Sequence, residues 1–309
     1  MRVLVAGASG VIGGPLVCQL VAAGHEVTGT TSSPARTGAI EAAGARAAIC
    51  DALDAAAVSA TVAAARPEAV VNELTRLPRE YNPRTIDYEP TNRVRREGGR
   101  NLLEAARSAG ARRFVTQSIA FIYAPEGPSV LDEDARPWTE APGGFRDGVA
   151  TLLEHERAVV EADGLDGLVL RYGQFYGPGT YFARDGSIAR RVAKRQFPII
   201  GPGEGVFSFI HTDDAAGATA AAVERGAAGI YNVTDDEPAP LREWLPVYAD
   251  ALGARSPFRI PTFIARIFGG SFATLTASGL RGASNAKAKR ELGWAPRYSS
   301  WRQGFREAL

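Results

Sequence analysis

The sequence predicts an α/β protein with a doubly wound parallel sheet, and three observations support this fold class. Short apolar runs alternate with longer segments of helical pattern, as strands alternate with crossover helices in such sheets. The first apolar run passes directly into a glycine-rich turn and then into a helical segment. The chain has 309 residues, of which 45% are hydrophobic, so it can bury a large core and carry a dependent lobe.

Six strands and four connecting helices are predicted in the first half of the chain. Each strand is a short, mostly apolar run bounded by turn-forming residues. The predicted strands are Val3 to Ala6, Glu26 to Thr30, Ala47 to Cys50, Ala69 to Glu73, Arg113 to Gln117 and Leu168 to Tyr172. The predicted helices are Ile12 to Ala23, Ala55 to Ala65, Thr91 to Ala109 and Gly148 to Ala162. Right-handed crossovers between six such strands produce a Rossmann sheet.

The alternation ends after Gly173, where we expect a smaller C-terminal lobe to hold the substrate. A helix is predicted near Ser187 to Arg195, and two strand-like runs flank Gly201-Pro202-Gly203. The remaining predicted elements are a strand at Gly229 to Val233 and helices near Leu241 to Leu252, Phe263 to Phe268 and Ala286 to Leu292. The expected division is residues 1–173 plus 207–235 for the Rossmann domain, and 174–206 plus 236–309 for the substrate lobe.

The glycine-rich turn has the spacing and context of a phosphate-binding loop. Gly7-Ala8-Ser9-Gly10-Val11-Ile12-Gly13 follows a buried strand and opens a helix. Glycines permit the tight turn and a close backbone approach, while free N–H groups at the helix start attract a pyrophosphate. We expect a dinucleotide to contact Gly7, Ser9, Gly10, Val11, Ile12 and Gly13. The alternative is an ordinary strand-to-helix turn.

The end of the second strand indicates which dinucleotide is preferred. The stretch Thr30-Thr31-Ser32-Ser33-Pro34-Ala35-Arg36 contains no carboxylate to take the ribose hydroxyls of NAD. We therefore expect NADP(H) to be preferred, with Thr31, Ser32, Ser33 and Arg36 around the 2′-phosphate, and NAD(H) to be the alternative cofactor. A solvated polar loop is the other interpretation of this stretch. After the third strand, Asp51-Ala52 would contact the adenine, unless Asp51 caps the next helix.

Taken together, these motifs resemble the extended short-chain dehydrogenase/reductases and, among them, the NAD-dependent epimerase/dehydratase family. The likeness covers nearly the whole chain. The matching segments, in the family's order, are Gly7 to Gly13, Asp51-Ala52, Asn92 with Asn101 to Ala106, Phe114 to Ser118, Arg171-Tyr172 with Tyr176 to Gly179, His211 with Asp213-Asp214, and Asn285 with Lys287 to Trp294. The resemblance implies that Leu74, Thr75, Asn92, Gln117, Ser118 and Tyr172 lie along the cofactor and that Asn92 also supports the fourth helix.

The family's usual Tyr-x-x-x-Lys pair is absent from this sequence. A tyrosine, whose ordinary pKa is about 10, needs a nearby ammonium before it can exchange a proton at neutral pH. No tyrosine here has a lysine four residues later, and the first lysine is Lys194. Aligning the predicted helix with the family places Gly148 at the tyrosine position and Leu152 at the lysine position.

Three functional interpretations follow from this absence. The first is an atypical, ketoreductase-like oxidoreductase that works without the pair, because positioning of the hydride alone supplies much of the rate. The second is an epimerase, dehydratase or lyase with a relocated acid, for which Tyr123, Tyr176 and His155 are the candidates; Ser118 is a further catalytic candidate, expected to touch the nicotinamide or a substrate oxygen. The third is a cofactor-binding protein without catalysis. Tyr123 could instead pack inside the protein, and His155 could be a solvated surface residue.

Aromatic residues indicate an apolar or aromatic carbonyl substrate. Phe207 stands where sugar-nucleotide enzymes of the family commonly have an arginine, and phenylalanine cannot pair with a diphosphate. Gln174 and Tyr181 are further candidate substrate contacts. Ordinary core packing is the alternative interpretation of the aromatic residues, and Arg184, Arg190 and Arg191 could still bind an anionic group.

Charge and composition limit the other partners. The chain has 35 basic and 34 acidic residues, so we expect neither nucleic acid nor membrane as a partner, only a small-molecule substrate. Two cysteines and three histidines without ligand spacing predict no metal site, and a reducing, cytoplasmic location. The resemblance implies a homodimer packed through the fourth and fifth helices, although Arg93, Arg95 and Arg96 add charge that would oppose it.

Overall fold

A seven-stranded parallel sheet forms the centre of the protein. The computed structural model describes residues 1–81, 87–265 and 279–309. The strands are β1 (Arg2–Ala6), β2 (Glu26–Thr31), β3 (Arg46–Ile49), β4 (Ala69–Asn72), β5 (Arg113–Ile119), β6 (Asp166–Tyr172) and β7 (Gly229–Val233). Their spatial order is β7-β6-β5-β4-β1-β2-β3, and every neighbouring pair is parallel. This arrangement confirms the predicted Rossmann sheet.

The predicted strand Gly229 to Val233 joins the sheet as a seventh member, beyond the six strands first assigned to it. Gly229–Val233 extends the sheet as β7, pairing with Leu168 to Tyr172 of β6. Only the local run was visible in the sequence, because the pairing joins segments more than fifty residues apart along the chain. β5 also runs two residues further than predicted, so that Ser118 lies within the strand.

Helices cover both faces of the sheet, and the alternation of side chains along β1 explains why. Val3 and Val5 pack in one core with Leu16, whereas Leu4 and Ala6 pack in another with Leu102. The helices are α1 (Gly13–Ala22), α2 (Thr37–Ala42), α3 (Ala55–Ala65), α4 (Glu89–Arg93), α5 (Gly99–Ser108), α6 (Gly144–Val160), α7 (Ser187–Ala193), α8 (Thr212–Glu224), α9 (Leu241–Ala251), α10 (Ala286–Leu292) and α11 (Trp301–Glu307). A short 3-10 helix spans Pro34–Arg36. Among the described residues, no helix is long and apolar enough to cross a bilayer.

The predicted helix Thr91 to Ala109 is divided in the structure. A π-helical segment, Val94–Gly98, separates α4 from α5. α5 lies so close to α6 that a Cβ atom on Gly99 would stand 2.6 Å from Cε1 of His155. The wider π turn therefore lies beside a tight helix contact, and such turns are frequent at functional sites.

The segments that follow β6 build an aromatic core beside the sheet. Its largest buried members are Trp244, Trp301, Tyr176 and Tyr248. Four short strand pairs frame it: Gln174–Tyr176 with Phe209–His211, Ile199–Ile200 with Arg259–Ile260, Val206–Phe207 with Ala239–Pro240, and Val130–Leu131 with Gly282–Ala283. The division into two domains stays a prediction. Of the predicted helix Phe263 to Phe268, residues 266–268 lie outside the described residues.

Candidate functional site

A cleft of ≈ 1920 Å³ runs along the carboxyl ends of the central strands. Its lining comes from the residues at or just after the ends of β1 to β6 and from the segments around the aromatic core. In doubly wound sheets ligands bind at this edge. The described residues hold no group of three or more His, Cys, Asp or Glu side chains that could bind a metal ion.

The loop after β1 has the shape of a phosphate cradle. Gly7 has a φ of +84°, and a Cβ atom there would stand 2.7 Å from the carbonyl oxygen of Glu73. A Cβ atom on Gly13 would stand 2.2 Å from the carbonyl oxygen of Gly7. α1 begins at Gly13 with neither a side-chain cap nor an acidic residue in its first turn. The free N–H groups at this end fit the pyrophosphate of a dinucleotide.

All the residues predicted to contact the dinucleotide line this cleft. At the phosphate loop they are Gly7, Ser9, Gly10, Val11, Ile12 and Gly13. At the ends of β2 and β3 they are Thr31, Ser32, Ser33, Arg36, Asp51 and Ala52. At the inner end they are Leu74, Thr75, Asn92, Gln117 and Tyr172. The structure therefore brings these separate stretches of sequence to one surface.

Hydrogen bonds hold the outer part of the cleft in place. The hydroxyls of Ser9 and Thr31 are 3.0 Å apart, and the Ser33 N–H donates to the Thr31 hydroxyl. Asp51 accepts a bond from the Leu53 N–H, whereas the cap of α3 is Asp54, which accepts from two N–H groups. The interpretation of Asp51 as the cap of that helix was therefore wrong.

A buried carboxyl group lies beneath the phosphate loop. Tyr172 donates a hydrogen bond of 2.9 Å from its hydroxyl to Glu73. Burial raises the pKa of Glu73 to about 8, so the carboxyl is largely neutral at pH 7 and adds little negative charge beside a pyrophosphate. Nearby, the Gln117 side-chain amide donates to the carbonyl of Leu74.

Ser118 lines the cleft, but its hydroxyl donates a hydrogen bond to a buried carboxylate that is not part of the cleft lining. The hydroxyl donates a 2.5 Å hydrogen bond to Glu156. Arg171 donates to both carboxylate oxygens of Glu156, at 2.9 and 2.6 Å. The side chains of this ion pair are only 3% and 4% exposed. The Ser118 proton is thus held by a buried carboxylate.

The other candidate acids lie away from the cleft. Tyr123 is buried and bonds Asn232 and Arg171, and Tyr176 is buried among aromatic rings. Burial raises the pKa of both phenols, which makes them weaker acids. The interpretation of His155 as a surface residue was wrong, because its ring is buried beside Thr116. Burial lowers the pKa of His155 to about 4.

α6 presents two apolar residues to the cleft. Gly148 and Leu152, one turn apart, both line it. These are the positions where the sequence alignment placed the family's tyrosine and lysine. Neither residue can give or take a proton, and Gly148 leaves space in front of the helix, since a Cβ atom there would have only Asn92 within 4 Å.

Aromatic side chains surround the inner and outer walls of the cleft. The predicted substrate residues Gln174, Tyr181 and Phe207 all line it, and further aromatic residues there are Tyr81, Tyr88, Phe121, Phe145 and Phe197. Sequence reasoning missed Tyr81, Tyr88, Phe121 and Phe145, because they lie on loops and on a helix start without a pattern. Arg190 and Arg191 line the cleft and Arg184 is absent from its described lining.

The segment after β4 is fastened to the aromatic core. The Tyr181 hydroxyl donates a 2.5 Å bond to the carbonyl of Pro78, and the Tyr81 N–H donates to Ser187. Arg190 forms a 2.6 Å ion pair with Glu80. The wall between the dinucleotide end and the aromatic end is therefore one connected structure.

Arg95 lines the cleft, whereas the sequence suggested that it adds charge to the helix surface together with Arg93 and Arg96. Arg93 and Arg96 form exposed ion pairs with Glu97 and Glu89, as expected for surface charges. Arg95, between them on the π segment, lines the cleft instead. Its spacing of three residues from Asn92 was the available signal, since residues one turn apart share a helix face.

Comparison with known proteins identifies the family. The sequence profile of the NAD dependent epimerase/dehydratase family matches residues 3–234. The chain is 50% identical over 308 residues, 99% of both chains, to 3-diazoavenalumate denitrifying reductase from a Streptomyces species. The UDP-glucose 4-epimerase of Thermus thermophilus, solved with NAD, superposes with a TM-score of 0.74 at 26% identity, covering 100% of this chain and 97% of the epimerase. A human epimerase family protein solved with NADPH has a TM-score of 0.74 at 23% identity, covering 100% of this chain and 99% of that protein.

The family match spans the whole sheet, and the half-identical reductase covers the chain from end to end. The chain therefore belongs to the NAD dependent epimerase/dehydratase family of extended short-chain dehydrogenase/reductases and is a nicotinamide-dependent oxidoreductase.

Proposed function

We propose that the protein reduces a diazo-substituted aromatic carboxylate, replacing the diazo group by hydrogen and releasing dinitrogen. The observation that carries this proposal is the combination of an intact phosphate cradle with an acid-free face on α6 at Gly148 and Leu152. The name of the half-identical relative denotes a reduction in which a diazo compound loses nitrogen. The aromatic walls of the cleft fit an aromatic acceptor.

The proton balance distinguishes this reaction from carbonyl reduction. A bound reduced nicotinamide supplies hydride, which the carbon bearing the diazonium group accepts while its C–N bond breaks and dinitrogen leaves with the bonding electrons. The hydride step transfers two electrons and delivers no proton to the reacting carbon; a ring hydroxyl that is ionised beside the diazo group takes one proton from solvent after dinitrogen has left. A ketone, in contrast, needs hydride and a proton, and therefore an acid at the carbonyl oxygen.

The protein's own residues then position the acceptor and exclude water. Leu152 and the aromatic walls surround the ring, and Gly148 leaves room for it in front of α6. The Ser118 hydroxyl donates its hydrogen bond to Glu156, so it does not act as an acid toward the acceptor. Effective positioning of reactants contributes several kcal/mol to catalysis without any proton transfer, about 7–11 in the best model systems.

The direct test is turnover of 3-diazo-4-hydroxycinnamate with NADPH, compared with a control without protein. We expect release of dinitrogen equimolar with NADPH oxidised, and transfer of deuterium from C4 of labelled NADPH to the ring carbon that carried nitrogen. The solvent isotope effect on a rate limited by hydride transfer should be close to one, because the solvent proton reaches the ring oxygen only after dinitrogen has left.

The same assay distinguishes the proposed reaction from the alternative functions. A 4-hydroxyphenyl ketone of similar length that is reduced faster than the diazo compound would establish carbonyl reduction instead. Turnover of a sugar nucleotide would establish an epimerase or dehydratase. Tight NADPH binding without turnover of any of these compounds would establish a protein without catalysis.

We further propose that NADP(H) is the preferred cofactor. Ser32, Ser33 and Arg36 line the outer end of the cleft, and the described residues provide no ion-pair partner for Arg36. An arginine facing the ribose suits a 2′-phosphate, because a charge-assisted hydrogen bond contributes about 1.5–3 kcal/mol.

Arg36→Ala should raise the Kd of NADPH by roughly 10- to 100-fold and leave that of NADH nearly unchanged. Titration of nicotinamide fluorescence measures both constants. Arg46→Ala is the matched control, since Arg46 is also an exposed cation but lies on β3 outside the cleft lining. Equal affinities of the unmodified protein for NADH and NADPH would contradict the proposed preference.

A further inference from the structure

The π segment between α4 and α5 carries a cation into the cleft. Arg95 lines the cleft, and its Nε atom is buried without a hydrogen-bond partner among the described residues. Burial lowers the pKa of Arg95 to about 10, which still leaves the guanidinium charged at neutral pH. Arg95 is half-buried, and a charge withdrawn from water without a partner costs folding free energy, so the position favours an anion that is not among these residues.

Neighbouring groups do not supply that anion. Tyr88 lies near Arg95, and burial raises the pKa of its phenol, which keeps it neutral. His155, on the other side, has its pKa lowered by burial and by Arg95, so it is neutral as well. Glu156, the buried acidic residue of α6, is already paired with Arg171. The described surroundings of Arg95 therefore carry one uncompensated positive charge.

Asn92 provides a second polar group at the same place. It lies three residues before Arg95, so both side chains emerge on one helix face. It also lines the cleft, and its Oδ1 atom is buried without a partner among the residues described. This atom borders the open space in front of Gly148, since a Cβ atom on Gly148 would stand 3.9 Å from it. A flip of the carboxamide by about 180° exchanges its oxygen and its NH₂ group, so Asn92 can present either an acceptor or a donor at this place.

We propose that Arg95 and Asn92 form a carboxylate-binding subsite for the hydride acceptor, reached through the space in front of Gly148. A planar guanidinium donates two parallel hydrogen bonds to a carboxylate, which fixes direction as well as position. The subsite is built on α4 and the π segment, whereas the pyrophosphate cradle is built on the loop after β1, so the two use different residues. The identity of the acceptor rests on the function proposed above, whereas binding of a carboxylate does not.

The test therefore measures binding apart from turnover. The probe is 4-hydroxycinnamate, which has no diazo group, and its neutral counterpart is 4-hydroxycinnamamide; both are titrated calorimetrically into the full-length protein with NADP⁺. We expect the carboxylate to bind at least about 10-fold more tightly than the amide. Arg95→Gln should remove this difference, and Arg95→Lys should restore part of it.

Arg93→Gln is the matched control, because Arg93 is two residues away, exposed and paired with Glu97. It should bind both probes as the unmodified protein does. Because Arg95→Gln removes an uncompensated charge, its Tm should not fall, which separates a binding role from a structural one. Equal binding of carboxylate and amide by the unmodified protein, or an unchanged preference in Arg95→Gln, would overturn the subsite. Failure of diazo reduction with the carboxylate preference intact would overturn only the proposed reaction.

Discussion

Replacing Gly13 by alanine is expected to abolish useful dinucleotide binding. The new Cβ atom would meet the Gly7 carbonyl oxygen at 2.2 Å and the Ala8 Cα atom at 2.8 Å, and both are backbone atoms that cannot turn aside. The loop must shift, and its N–H groups then no longer converge on the pyrophosphate. Overpacking of this kind costs about 1–3 kcal/mol, so we expect the Kd of NADPH to rise by roughly 100-fold.

The neighbouring glycine offers a control in the same helix. A Cβ atom on Gly14 would have nothing within 4 Å, so Gly14→Ala should bind NADPH normally and stabilise α1 slightly, by about 1 kcal/mol or less. Fluorescence titration gives the affinities and urea unfolding gives the stabilities. If Gly13→Ala bound NADPH as tightly as Gly14→Ala, the loop would not be the pyrophosphate cradle.

Glu156→Gln is expected to have the largest effect on stability. It leaves the Arg171 guanidinium buried without its carboxylate, and breaking a buried ion pair in this way costs about 3–5 kcal/mol. Such a loss is a large part of the total stability of an ordinary domain. Urea unfolding followed by circular dichroism should show the midpoint falling accordingly.

Two further variants complete this experiment. Glu154→Gln, on an exposed position of the same helix, should change the free energy of unfolding by less than about 0.5 kcal/mol. If Glu156→Gln fails to accumulate as folded protein, the double replacement Glu156→Leu with Arg171→Met should recover part of the stability, because it removes both charges. A single Glu156→Gln variant as stable as Glu154→Gln would show that the pair contributes nothing.

The sheet and the dinucleotide end of the cleft were predictable because both depend on local sequence. Parallel strands bring their carboxyl ends to one edge, so residues at or near these ends, such as Gly7, Asp51 and Gln117, had to meet there. The glycine spacing then indicated the ligand. No long-range contact was needed for either conclusion.

The acids and the substrate end were not predictable in the same way. Glu154, Glu156 and Arg157 made the helix around His155 look solvated, but Glu156 is buried by a partner on β6. Tyr123 lies on the loop after β5, yet its hydroxyl bonds Asn232 rather than facing the cleft. In both cases the decisive contact comes from an element distant in sequence, which periodicity does not reveal.

The fastening of the segment after β4 links substrate size to reactivity. Leu74 and Thr75 at one end of this segment line the inner cleft, and Pro78 and Tyr81 at the other are bonded to Tyr181 and Ser187. An acceptor wide enough to push the aromatic wall outward would pull on Leu74 and Thr75, which are predicted to lie beside the nicotinamide. Misplacement by about 1 Å can cost a factor of about 100 in rate. Bulky analogues should therefore be discriminated at the chemical step as well as at binding, so that the wall would select the acceptor by its width.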